Sequence, residues 1–166
     1  MTATIVFVLA SFAAADDPPG GWPDLFPKLD NFGRKVEAPK VEKGEKPTVY
    51  SQSASYEWLG GRFEAYTITL ARDPKFKEKY TPEAMKKENP APEVMEINKK
   101  PAYMWDFKKA DKLTEVNCRL VVVLADDKVI VIEQRGTGTD VAATAKKIDF
   151  DKVLKALDNP PAAKQK

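Results

Sequence analysis

Two Val/Ile/Leu-dense runs, Cys118 to Ala125 and Val129 to Arg135, are separated only by Asp126-Asp127-Lys128. So short a connection joins antiparallel neighbours, and Asp residues suit the turn. Near the turn the strands are apolar on both faces, which places them at the centre of a sheet. Gly136-Thr137-Gly138-Thr139 then leaves the sheet, Asp140 caps a short helix through Lys147, and Asp149 caps a second one from Phe150. In that second helix Phe150, Val153, Leu154 and Leu157 fall at i, i+3, i+4 and i+7, one apolar stripe able to cover a sheet. Asn159-Pro160-Pro161 stops it.

Regular structure is expected from Thr48. Val49 to Trp58 and Arg62 to Ala71 are β-prone runs joined through Leu59-Gly60-Gly61, and Gly-Gly supplies the positive φ values of a tight hairpin. A two-residue loop at Gly60-Gly61 sets Trp58 opposite Phe63 and Tyr56 opposite Ala65. Tyr50, Ala54, Tyr56, Trp58 and Phe63 then share the core face, while Ser51, Ser53, Ser55, Glu57, Glu64, Tyr66, Ile68 and Leu70 lie on the other. Between Arg72 and Lys100 the chain is charged and broken by prolines, and only Thr81 to Glu88 reads as helix, with Thr81 as N-cap and Asn89-Pro90 as its end. Ala102 to Phe107 is a strand with Tyr103, Trp105 and Phe107 on one side, and Lys108 to Glu115 is a polar connection. The resulting fold class is α+β: an antiparallel sheet built from hairpins and covered by C-terminal helices, an α/β sandwich.

The beginning of the chain carries the signal for its address. Ile5-Val6-Phe7-Val8-Leu9-Ala10 leads into Ala13-Ala14-Ala15 and Asp16-Asp17-Pro18-Pro19, the pattern of a cleaved export signal over residues 1–15. The run is too short to span a hydrocarbon core of roughly 30 Å as a helix. Residues 16–47 form an extended segment rich in Pro, Gly and charge, residues 48–158 a single domain, and residues 159–166 a disordered tail. Within the N-terminal segment, Trp22-Pro23-Asp24-Leu25-Phe26-Pro27-Lys28-Leu29 carries side chains costly to leave in water. It is expected either to cover the domain's own sheet or to serve as a peptide-like ligand for another protein.

Several chemistries are excluded by residue type. The chain has no histidine, so Ser-His-Asp triads, Cys-His pairs and histidine-containing zinc sites are impossible. A formal net charge of +2 provides no strong field toward nucleic acid. Cys118 is the single cysteine and reads as a strand residue rather than a reactive thiol, and no cysteine follows Ala15 to accept a lipid anchor. Gly136-Thr137-Gly138-Thr139-Asp140-Val141 has Val at the third position of a dinucleotide loop, with Asp140 where a phosphate would sit. No DxDxDG calcium loop occurs. No cofactor or metal is implied.

Two kinds of candidate residue remain. Carboxylates such as Glu57, Glu64 and Asp106 could serve a glycosidase-type hydrolase if two of them face each other across a cleft, whereas Asp126-Asp127 and Asp149-Phe150-Asp151 belong to a turn and a helix start. The aromatic residues Tyr56, Trp58, Phe63, Tyr103 and Trp105 are either core or a binding surface for carbohydrate, peptide or a partner protein. The alternating signs of Lys75-Phe76-Lys77-Glu78-Lys79 read as solvated surface.

Ile97-Asn98-Lys99-Lys100-Pro101-Ala102 entering a strand, the Leu120-to-Glu133 hairpin, and the Gly-containing exit into a C-terminal helix resemble the PsbP-like family of small exported domains. The resemblance covers about a third of the chain, within Ile97 to Leu157. It implies an antiparallel sheet sandwiched by helices and an accessory or partner-binding role, and it transfers no functional residue. Together these readings describe an exported, periplasmic or extracellular, non-catalytic domain whose partner is another exported or cell-envelope protein. Nucleic acid and a stable membrane anchor are not expected, and a carboxylate-dependent hydrolase is the alternative. Intact-mass measurement of protein recovered after export is expected to give a chain beginning at Asp16, and a retained Met1 would remove the basis for export.

Overall fold

The structure is a computed structural model that describes residues 21–42, 49–60, 64–107, 116–136 and 140–160. The segment read as an export signal, Phe63, the Lys108 to Glu115 connection, Thr137-Gly138-Thr139 and the Ala162 to Lys166 tail lie outside the described residues.

One antiparallel sheet contains the eight described strands: β1 (Phe32–Val36), β2 (Lys40–Glu42), β3 (Val49–Trp58), β4 (Glu64–Arg72), β5 (Glu93–Ile97), β6 (Lys100–Asp106), β7 (Val116–Ala125) and β8 (Lys128–Gly136). Their order is β1-β3-β4-β8-β7-β6-β5, with β2 continuing along the outer side of β3 beyond β1. β7 and β8 stand inside the sheet, as their apolar sequences require, and Asp126-Asp127 closes their hairpin. Four short helices complete the fold: α1 (Phe76–Lys79), α2 (Pro82–Met85), α3 (Val141–Lys146) and α4 (Phe150–Asp158).

The β3–β4 register corrects the expected hairpin. Tyr56 pairs with Tyr66 and Glu57 with Ala65, so the connection is longer than Gly60-Gly61. A shift of one residue exchanges faces, because side chains alternate along a strand. Tyr66, Ile68 and Leu70 therefore join Tyr50, Ala54 and Tyr56 on the same buried face, while Ala71 at the far end of β4 is buried on the other.

That face is the main core. Ile130 and Ile132 of β8 and Leu120 and Val122 of β7 continue it across the sheet, and Val141, Ala145, Phe150, Val153 and Leu157 cover it from α3 and α4, with Ile148 from the connection between them. Both helices start where expected. Asp140 accepts from the N–H groups of Ala142 and Ala143 at 2.8 and 3.2 Å, and Asp149 from that of Lys152 at 3.1 Å. At the far end of α4, Lys128 reaches Asp127 at 2.9 Å and Asp158 at 3.0 Å, while Arg72 contacts Asp127 at 2.7 Å. Burial favours the neutral acid at Asp127. The hydrogen bonds and charges of Lys128 and Arg72 outweigh it and lower the pKa below the ordinary carboxylate value.

Regular structure also starts before Thr48. β1 and β2 belong to the segment expected to be extended, and Trp22 to Leu29 lies over the β1–β3 end of the core face as a strap with Phe26 buried. The covering reading of this segment holds. The strap is bound through its backbone: Trp22 donates to Gln52 at 2.8 Å, and the Pro27 carbonyl accepts from Tyr56 at 2.8 Å. The Arg34 guanidinium donates to the carbonyls of Pro23 and Phe26 at 3.1 and 2.9 Å. Gly21 is required beside Gln52, whose carboxamide occupies the space a Cβ would take.

The charged stretch from Arg72 to Lys100 holds more structure than its prolines suggest. β5 pairs with β6 through a two-residue Asn98-Lys99 turn, both residues having positive φ as a primed hairpin turn demands. The Thr81 helix is shorter than expected and ends at Met85, with the Thr81 hydroxyl accepting from Ala84 at 3.1 Å. Met85, Phe76, Tyr80 and Ala84 pack on Tyr103, Trp105, Val121 and Val129, forming a second, smaller core on the opposite face. Among the described residues, no helix covers the rest of that face, which includes Ser51, Ser53, Ser55, Thr67 and Thr69.

Leu154 of the apolar stripe is only half-buried, whereas Leu157 is fully enclosed. Leu157→Ala is therefore expected to cost about 2–5 kcal/mol, and Lys155→Ala on the exposed side no more than about 0.5 kcal/mol. Equal denaturation midpoints for the two variants would contradict this packing.

Candidate functional site

The five aromatic candidates do not form one surface. Tyr56 is fully buried in the main core, and Trp58 beside it is half-buried with its ring 5.1 Å from that of Phe32. Tyr103 and Trp105 lie on the opposite face in the smaller core, and Phe63 is outside the described residues. Of the candidate carboxylates, Glu57 is exposed on the second face, Glu64 is buried on the core face against the Tyr66 hydroxyl at 3.3 Å, and Asp106 is exposed at the end of β6.

Two hollows flank these residues. The first, about 240 Å³, lies on the second face where α1, α2 and the following turn meet β6 and β7. Trp105, Val121 and Met85 form its apolar interior, with Tyr80 and Phe107 beside them. Charged side chains line it too: Lys79 and Glu88 from the helical segment and Arg119 from β7. Arg119 is held in place by Glu133 on β8, with Nε donating to Oε1 at 2.9 Å and Nη2 in ion-pair contact with the same oxygen at 2.7 Å. The Lys79 Nζ stands 5.3 Å from the centre of the Tyr80 ring.

The period-2 pattern already placed Trp105 and Phe107 together. Arg119 was missed, although a cation alternating with Leu120 and Val121 marks a position where one strand face leaves the core. Lys79 belongs to the run read as solvated surface. It is exposed, yet it borders the hollow.

The second hollow, about 220 Å³, is on the opposite, core face at the same end of β6 and β7. Asp106, Cys118 and Gln134 form a cross-strand row there, with Asn117 and Asp140 beside it. The Asn117 amide donates to the Gly136 carbonyl at 2.7 Å, at a glycine whose φ of 83° lets the chain leave β8. Burial pushes the Cys118 thiol up to about 11, and Asp106 and Asp140 oppose the thiolate further. Asp106 and Asp140 bring two carboxylates to this hollow. Among the described residues no group of His, Cys, Asp and Glu side chains is placed to hold a metal ion.

Compared with protein families, curated proteins and solved structures, the chain matches none. No helix among the described residues is long and apolar enough to cross a membrane.

Alkylation of Cys118 by iodoacetamide is expected to run about 100-fold slower at pH 8 than that of an unshifted thiol, rising about tenfold per pH unit toward pH 11. Mass spectrometry of the native chain checks this. Rapid modification at pH 8 would show the thiol to be activated.

Proposed function

We propose that this chain is an exported, non-catalytic accessory domain that binds its partner or ligand through the aromatic cleft beside α2. The observation carrying this reading is the cleft itself: an apolar, aromatic interior next to two cations, bordering the uncovered part of a sheet face. The cysteine that could have served as a nucleophile sits in the other hollow with its thiol held protonated. The absence of histidine leaves only carboxylates for proton transfer there.

The resemblance of Ile97 to Leu157 to PsbP-like domains favours the same accessory role. It also favours reading the architecture as an α/β sandwich, with the sheet between α3–α4 and α1–α2. The export pattern expected over residues 1–15 supports a partner outside the cytoplasm.

The competing hydrolase reading draws on Asp106 and Asp140 at the second hollow. Immobilised mature chain, incubated with the exported fraction of the cells that make it, is expected to retain a component that a Lys79→Glu, Arg119→Glu variant does not. Chromogenic glycosides are expected to show no turnover above blank. Turnover that falls in Asp106→Asn or Asp140→Asn would overturn the binding reading.

A further inference from the structure

We infer that the cleft beside α2 takes an aromatic monocarboxylate, its ring against Trp105 and Phe107 and its carboxylate between Lys79 and Arg119. This rests on the cleft being the binding site, as proposed above, and names the chemistry it selects. Size sets the first limit. An apolar cavity of about 150 Å³ holds benzene, so the 240 Å³ here accommodates a phenyl or indole ring with a short acidic arm. The ring is favoured because the walls are themselves aromatic and sulfur-bearing, through Trp105, Phe107, Tyr80 and Met85.

Charge sets the second limit. Lys79 and Arg119 face Glu88 in the lining and Glu133 pairs with Arg119 beside it, so selection of an anion rests on the Lys79 ammonium and on the remaining Nη1 of Arg119 rather than on net charge. Arg119 is suited to receive an anion. Glu133 engages Nε and Nη2 and fixes the guanidinium plane, while Nη1 has no partner among the described residues. Lys79 forms no ion pair among the described residues, and its ammonium stands by the Tyr80 ring within the same lining. The second hollow has the opposite character, with Asp106 and Asp140 repelling an anion. Two sources could supply this chemistry: a free aromatic acid, or an aromatic residue at the C-terminus of a polypeptide.

Calorimetric titration of the mature chain with phenylacetate, N-acetylphenylalanine, phenylacetamide and phenethylammonium tests the inference. The expected result is one-to-one binding of at least one carboxylate, weaker by about tenfold or more for the neutral amide, for the ammonium, and in Lys79→Glu and Arg119→Gln. Both substituted side chains are exposed, so circular dichroism of the variants is expected to match wild type. Tighter binding of phenylacetate identifies a free acid as the source, and tighter binding of N-acetylphenylalanine a C-terminal residue. Equal affinity for acid and amide, indifference to both substitutions, or no heat up to about 10 mM of any probe would overturn the inference. Should the probes fail while the Lys79→Glu, Arg119→Glu variant still loses the retained exported component, the ligand class is wrong and the binding site stands. Failure of the probes together with undiminished retention by that variant refutes both.

Discussion

The β7–β8 hairpin imposes the condition that the rest of the fold meets. Its strands present Leu120, Val122, Ile130 and Ile132 to one side and Val121, Val123, Val129 and Val131 to the other, so water must be kept from both. α3 and α4 cover the first side. The second is covered by Met85 and its neighbours from α1 and α2, a layer that reaches Ala71 at the end of β4 but not the rest of β4 or β3. Those strands require no cover on that side, because Ser51, Ser53, Ser55, Thr67 and Thr69 face it. The cleft forms at the border of this partial layer, where Arg119 interrupts the valines of β7. Its position thus follows from how far two-sided apolar character reaches across the sheet.

Much of this was legible in the sequence. The central hairpin, the caps at Asp140 and Asp149, the α4 stripe and the shared side of Tyr103, Trp105 and Phe107 depend on patterns within a few residues, and local patterns survive folding. Register between β3 and β4 does not have that property. Both alternatives bury aromatic residues, and the choice is made by the neighbouring strand, where Ile130, Ile132 and Gln134 of β8 line up with Leu70, Ile68 and Tyr66. β5 was hidden for a different reason. Glu93 and Glu96 mask its alternation, and it is a strand because the Asn98-Lys99 turn folds it back on β6. The cleft joins residues about forty positions apart, from Lys79 to Arg119, and no local pattern records such a meeting.

The N-terminal strap shows how a segment of irregular structure can still be specified. Trp22, Leu25, Phe26 and Leu29 contribute apolar contact, but the fixed points are polar: Gln52, Arg34 and Tyr56 each bind backbone atoms of the strap. Gln52 also donates to the Glu37 carbonyl at 3.0 Å, so one buried carboxamide joins the strap to the chain just after β1. Such a residue looks out of place in a strand's buried face until its partners are seen. Its burial is tolerated because donor and acceptor are both used.

The sheet ends on one side at β1 and β2 and on the other at β5, neither of which continues into a closed barrel. Lys35 and Lys40 are exposed along the first border, and Glu93 and Glu96 along the second. A strand from another molecule seeking to extend the sheet would have to desolvate these charges, and two copies meeting β5 to β5 would bring like charges together. The short length of β1, β2 and β5 further reduces what such pairing could gain. Growth into fibrils is thereby discouraged at both margins.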